Sequence, residues 1–496
     1  MNTLTKRLTN ILSSRLFFWV IVGFLVFEAL WVAFSAVYPM AFDEDFHLGI
    51  IQIYAHQWSP FLHGQPDGAN AYSAVARDPS YFYHYLMSFP YRLLVHVTAN
   101  QTAQVIGLRL INVGLFATSL VLFRKVLLRA KLSPALAHTA LAIFVLIPIV
   151  PLLAGQINYD NLLMVLVAWT CLLVYNIYAG FTRREVAMKQ VVLFVTVCLF
   201  ASVVKYSFLP IALGAVLFLT VVFVRQFRGQ GMLWFRRAKE SCRACSTRAK
   251  VALGIFLALG LLLFAQRYVV NAVEYHTPLP QCDAVLSDEE CTAYGPWERD
   301  HTLAENKGQF NKNPVYYVWQ WLYGMWTRLF FMVNGRASDY ATRKPMPVPG
   351  LTAIVLAATG VAALLIWCRR VFRGRGYLGF LLGIIVLYAA ALWVDNYSQY
   401  LDTGQAVAVN GRYLLPLLLP AAALLGTALS YGLRRVQWCK PLAAALVLLL
   451  FLQGGGLFAF ILRSDPTWYW HNQAVVRVNQ DAHHLLSPII IEGRDR

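Results

Sequence analysis

Charge is scarce in this chain, and negative charge scarcest of all. Only 13% of its 496 residues are charged, and 24 Asp and Glu stand against 42 Lys and Arg. A soluble protein of this size would carry about 25% charged residues, so a water-exposed surface of ordinary composition is excluded. Internal repeats and low-complexity tracts are also missing, and no polar stretch is long enough for a soluble domain. Cysteine is sparse, at eight residues. Cys242 and Cys245 ("CRAC") have no second ligand pair, which argues against zinc. The net charge of +18 would suit nucleic acid, but no binding fold accompanies it, so no nucleic-acid partner is expected.

What the chain has instead is hydrocarbon. Hydrophobic residues make up 58% of it, and its mean hydropathy is +0.54. Apolar runs near the length needed to cross a bilayer recur throughout. They fall at roughly 16–38, 104–123, 135–153, 160–180, 190–204, 207–224, 251–270, 349–368, 377–394, 412–431 and 441–462. The expected fold is an all-α polytopic membrane protein of about eleven transmembrane helices. The first run lacks a small-residue cleavage pattern and reads as a retained helix.

The distribution of charge sets an expected orientation. With a cytoplasmic N-terminus, the short inner segments hold 25 of the 42 bases and only two acids, Glu185 and Glu240. That obeys the positive-inside rule. The stretch "RQFRGQGMLWFRRAKESCRACSTRAK" then faces anionic lipid from inside. Residues 1–462 form the membrane domain. The outer pieces are 39–103, 271–348 and the C-terminal tail 463–496, which contains "WYWHNQ" but no strong periodicity. Cys282 and Cys291 share an outer loop, where an oxidising space favours a disulfide.

Charge does gather at the outer helix ends. "YPMAFDEDFHLGI" places Asp43, Glu44 and Asp45 directly after the first span, with His47 one helical turn beyond Asp43. Residues 43–58 and 80–97 read as two outer juxtamembrane helices, both aromatic, broken by a polar loop. Asp160 opens the fourth span, where it could simply cap the helix or add a carboxylate at the depth of Asp43. Lys205, Arg267 and Arg412 break the inside bias, each at the outer lip of a span. A lysine or arginine there could simply snorkel. Three together, beside carboxylates at two other helix ends, suggest a shared site.

Carboxylates and cations at headgroup depth suit transfer of a sugar from a lipid-linked phosphate. The leaving group is already acidic and needs positive charge or a divalent metal. The acceptor hydroxyl needs a base, which a carboxylate supplies. Displacement in one step would invert the anomeric centre.

"FDEDFHLGIIQIYA", "GQINYDNLLMVL" and "NGRYLLPLLLP" carry a family likeness. The carboxylates after the first span, the juxtamembrane helix and the outer-face site resemble the GT-C superfamily of integral-membrane glycosyltransferases. More closely, the motifs look like those of a bacterial multi-spanning family. That family shows an Asp-Glu-x-x-His opening, an Asn-x-Asp-like turn and a late Gly-Arg-Tyr-x-x-Pro helix start. The resemblance implies a polyprenyl-phosphate sugar donor and a cell-envelope glycan, lipid or protein acceptor. It implies Asp43 or Glu44 as base or as ligand of a divalent cation (Mg or Mn), with Asp160 completing the catalytic set. It gives substrate-binding roles to His47, Lys205, Arg267, Arg412 and Tyr413. No large soluble domain follows the last span, unlike several superfamily members. A polysaccharide polymerase, or a lipid-linked-sugar transporter or flippase, remains the alternative. The polymerase draws support from the seven bases of the 271–348 loop.

Overall fold

The protein is described by a computed structural model, which covers residues 3–40, 43–330, 346–464 and 466–490. Those residues are helical and contain no strand, only an isolated bridge between Ala36 and Tyr469. Eight of the helices are long and apolar enough to cross a membrane.

In chain order, α1 (Thr3–Ser13) leads into α2 (Arg15–Ser35), then α3 (Glu44–Ala55) and α4 (Phe82–Val97). Next come α5 (Gln101–Arg129), α6 (Pro134–Val145), α7 (Ile149–Ala154), α8 (Tyr159–Thr182) and α9 (Met188–Val204). They are followed by α10 (Leu209–Phe227), α11 (Gly231–Ala244), α12 (Thr247–Phe264) and α13 (Val270–Glu274). The 271–348 region holds α14 (Cys282–Val285), α15 (Asp288–Cys291), α16 (Gly295–Glu305) and α17 (Pro314–Phe330), while residues 331–345 lie outside the described set. The chain continues through α18 (Val348–Phe372), α19 (Gly376–Thr403) and α20 (Leu415–Gly432). It ends with α21 (Cys439–Phe451), α22 (Leu457–Arg463) and α23 (Gln473–Leu486).

The expected spans map onto these elements with two differences. The third run is divided into α6 and α7 around Pro148, which cannot donate a hydrogen bond in mid-helix. The eleventh is divided into α21 and α22 by Gly454-Gly455-Gly456, whose first and last glycines take φ of 111° and 56°. The fifth run, α9, is unbroken but falls among the shorter apolar helices.

α2, α5 and α8 form the packed centre, where Leu25, Ala29, Leu108, Phe116, Val167 and Val174 are buried. α12 and α18 do the opposite. Val251, Ile255, Leu365 and Ile366 are each more than half exposed. Outward-facing hydrocarbon on that scale requires an apolar solvent, and a bilayer supplies one.

Both expected juxtamembrane helices are present, as α3 and α4, and they pack on each other. Arg92 of α4 donates to the Tyr54 and Ala55 carbonyls, satisfying acceptors that the end of α3 leaves open. The tail, which shows no strong periodicity in sequence, holds a helix. α23 is a fourteen-residue helix capped by Asn472, and its buried Asn479 bonds Trp31 and Ser35 of α2. Asn479 shares its helix face with Val475, Ala482 and Leu486, which pack against a cluster that includes Val32, Phe460 and Tyr469. Cys282 and Cys291 form the expected disulfide, which ties α14 to α15.

Candidate active site at the converging helix ends

The segment after α2 delivers two adjacent carboxylates with different fates. Asp43 is the N-cap of α3, with φ of 67°, a left-handed conformation that Asp tolerates better than most residues. Its side chain is half exposed. Glu44, one residue on, is fully buried. Its Oε1 and Oε2 accept from Arg109 Nε and Nη2 at 2.8 and 2.7 Å, and further bonds come from the Met40 and Ile157 amides. Arg109 spends its remaining Nη1 on the Ala33 and Ala36 carbonyls at the end of α2. The pair therefore closes a helix terminus and pins the chain between the third and fourth runs onto the first.

That geometry leaves Glu44 little to offer a substrate. Both its oxygens are committed, so it is poorly placed as a base and has no lone pair directed to a cation. Asp43 would be left as a lone ligand, and no group of three metal-binding side chains occurs among the described residues. The residues present do not fit a divalent cation at Asp43 and Glu44.

Five of the candidates do converge. Asp160 is 5% exposed and receives Lys205 Nζ at 2.6 Å on Oδ1, while its buried Oδ2 has no partner. Arg412 reaches Asp43 Oδ2 at 2.6 Å. Between the two ion pairs stand Tyr159 and Tyr413. Lys205 Nζ lies 4.3 and 4.9 Å from the two ring centres, and Arg412 lies 5.1 Å from Tyr413. Cation–π contacts of this kind hold the bases in place without consuming hydrogen-bond donors.

Each side chain is set by a local device. Asp160 does not cap its helix. Asn158 does, accepting the Asp160 amide, and so leaves the Asp160 carboxylate free. Lys205 sits in the extended link between α9 and a 3-10 turn at Tyr206–Phe208. Arg412 rides on a second 3-10 turn, Gly411–Leu414, capped by Asn410. A Cβ on Gly411 would come 2.4 Å from the Met325 carbonyl, so glycine lets this turn press against α17.

His47 lies behind the carboxylates. Its Nδ1 is 2.9 Å from His84 Nε2, and its ring meets the Tyr159 ring edge-on at 4.5 Å. Burial lowers the His47 pKa well below the usual imidazole range, helped by His84 and by the Arg412 and Lys205 cations. Burial also pushes His84 down to about 3. Both rings are therefore neutral near pH 7.

Arg267 stands one layer away. It occupies a π-helical turn, Ala265–Val269, is fully buried, and stacks 4.4 Å from the Tyr81 ring. Asp78 is its charged neighbour, and burial raises the Asp78 pKa. The Tyr206 amide donates to Ser80, joining this layer to the Lys205 turn. Tyr294, from the 271–348 region, leans on Phe46. Burial raises its pKa, as do the Asp43 and Asp78 carboxylates.

Sequence reasoning missed Arg109, His84, Tyr159 and Asn158. Arg109 left a readable signal, because an arginine within an apolar run is costly unless a partner meets it. A scan against protein-family models and a search of curated proteins both return no match for the chain.

Proposed function

We propose that this protein is a membrane glycosyltransferase that moves a sugar from a polyprenyl-phosphate donor to a cell-envelope acceptor. In this reading all eleven apolar runs cross a bacterial inner membrane, with the N-terminus cytoplasmic and the site on the outer face. The excess of Lys and Arg in alternate loops supports that orientation. The observation that carries the chemistry is the pairing of Asp160 with Lys205 and Asp43 with Arg412 around Tyr159 and Tyr413.

The donor phosphate competes with the carboxylates for Lys205 and Arg412. As it settles on the two cations, the carboxylates lose their counter-charges and become stronger bases. Asp160, with Oδ2 already unpartnered, takes the proton of the acceptor hydroxyl. The acceptor oxygen bonds to the anomeric carbon, and the bond from that carbon to the phosphate oxygen breaks. Its electron pair leaves on the polyprenyl phosphate, whose charge the two cations stabilise. The anomeric centre inverts. Asp43 orients Arg412 and serves as the second acid beside the acceptor. Glu44 holds the scaffold through Arg109.

The test uses the full-length protein in liposomes with a polyprenyl-phosphate sugar. Release or transfer of the sugar is expected, and Asp160→Asn is expected to lower it by about 10²–10⁴-fold. Donor bound by both the parent and Asp160→Asn with no release or transfer of the sugar would favour the transporter reading instead.

A further inference from the structure

Glu28 is a carboxylate that the transfer chemistry does not use, set inside an apolar run. It lies in the middle of α2 and is fully buried. Its Oε1 accepts the Leu457 amide at 2.8 Å. Its Oε2 is buried without a partner.

The two discontinuous spans meet at this side chain. Gly456, just before α22, donates its amide to the carbonyl of Leu146, just after α6, at 2.8 Å. A Cβ on Gly456 would sit 2.1 Å from Glu28 Oε1. One on Gly455 would sit 2.3 and 2.4 Å from the Phe451 and Leu146 carbonyls. Both glycines are therefore required by close approach. On the other side, α7 ends at Gly155, where a Cβ would sit 2.7 Å from the Ala29 carbonyl. Irregular backbone in a membrane is tolerated where protein buries it, and broken helices often line ion or proton sites.

The ionisable groups on the elements packed against α2 are accounted for elsewhere. Those of α1, Lys6 and Arg7, and Lys125 and Arg129 of α5 lie toward the opposite helix ends. Arg109 is held by Glu44, and Arg124 of α5 bonds His138 of α6. Arg463 of α22 has a partner of its own. Arg477, Asp481, His483 and His484 belong to α23 beyond the last span. The Leu457 amide is the donor that reaches Glu28. An ionised carboxylate here would be a buried charge without compensation. A plain cap would need only one acceptor oxygen, and Ser or Asn supplies that without the charge.

We propose that Glu28 is an intramembrane proton-binding site, resting as the neutral acid at the point where the two broken spans are latched together. With one oxygen engaged by an amide and one free, the carboxyl lacks the ligand number that a sodium ion needs, so the proton is the occupant.

The test treats the full-length protein in liposomes with dicyclohexylcarbodiimide, which adds to protonated carboxyls in apolar surroundings. Peptide mass spectrometry reads the adduct from pH 6 to 9, in choline chloride and in sodium chloride. An adduct on Glu28 at neutral pH, unaffected by sodium, is expected. No adduct across the range, or protection by sodium, would overturn the proposal. Thermal midpoints give an independent readout. Glu28→Gln, a neutral isostere that still accepts from Leu457, is expected within about 2 °C of the parent at pH 7, with Glu28→Ala clearly lower. A Glu28→Gln midpoint as low as that of Glu28→Ala would mean that the charged form is the resting one.

Discussion

Two ion pairs stand side by side at the same helix ends, and they differ in what they leave over. Glu44 and Arg109 are both fully buried, and both Glu44 oxygens are engaged. Asp160 and Lys205 are nearly as buried, yet Asp160 keeps an oxygen with no partner. Asp43 is half exposed beside its own arginine. A saturated pair is an anchor, because displacing either member leaves an unpaired charge in a dry interior. In the proposed reaction an unsaturated pair exchanges partners, because a donor phosphate or acceptor hydroxyl replaces what it displaces. Equal proximity to the membrane surface says nothing about role. Residual hydrogen-bonding capacity does.

The comparison breaks most visibly if the anchor is cut. Glu44→Gln is expected to cost about 3–5 kcal/mol and to lower the yield of folded protein sharply, read by thermal melts in detergent. A well-folded Glu44→Gln that lost only transfer would make Glu44 a reacting group after all. Next in size is the exchanging pair. Arg412→Ala and Lys205→Ala are expected to weaken donor use by about 10–100-fold, with a smaller stability loss than Glu44→Gln. Equal stability losses at all three positions would erase the distinction between the pairs.

The positions of the helices were legible in the sequence because a bilayer demands apolar runs of a set length, and no other feature of the chain competes with that signal. Asp43, Asp160, Lys205 and Arg412 were legible because each breaks the local charge pattern at a helix end. The split within the carboxylate cluster was not legible. It depends on Arg109, 65 residues from Glu44 and hidden in an apolar run. The cap at Asn158 was missed for a different reason. Asp160 is itself a good capping residue, and sequence spacing does not tell which of the two accepts the amide. The mid-span breaks were visible as Pro148 and the Gly454–Gly456 run, but run length alone reads through them.

The histidine pair sharpens the picture through pH. Both rings are neutral in the folded protein, with His84 down to about 3, whereas an unfolded histidine titrates near 6.5. The unfolded chain therefore binds more protons below about pH 6.5. Stability should be fully present above that value and should fall as pH drops, by about 1.4 kcal/mol per pH unit for each histidine. Melts between pH 7 and 5 read this slope, and His84→Gln should reduce it. A slope identical in parent and variant would mean that His84 is charged in the fold.

The smallest effect is expected in the next layer. Arg267→Lys should lower transfer less than Arg412→Ala does, by roughly a few-fold, because its guanidinium stacks on Tyr81 one layer from the exchanging pairs. A loss as large as that of Arg412→Ala would move Arg267 into the donor site.

The most direct measurement of the central claim is sugar transfer from a polyprenyl-phosphate donor by Asp160→Asn and by the parent, with folding checked in the same samples. A variant that melts near the parent but transfers about 10²–10⁴-fold more slowly is the predicted result. Parental transfer by a folded Asp160→Asn would contradict it, since the buried carboxylate that keeps an open oxygen beside Lys205 would then have no part in the chemistry.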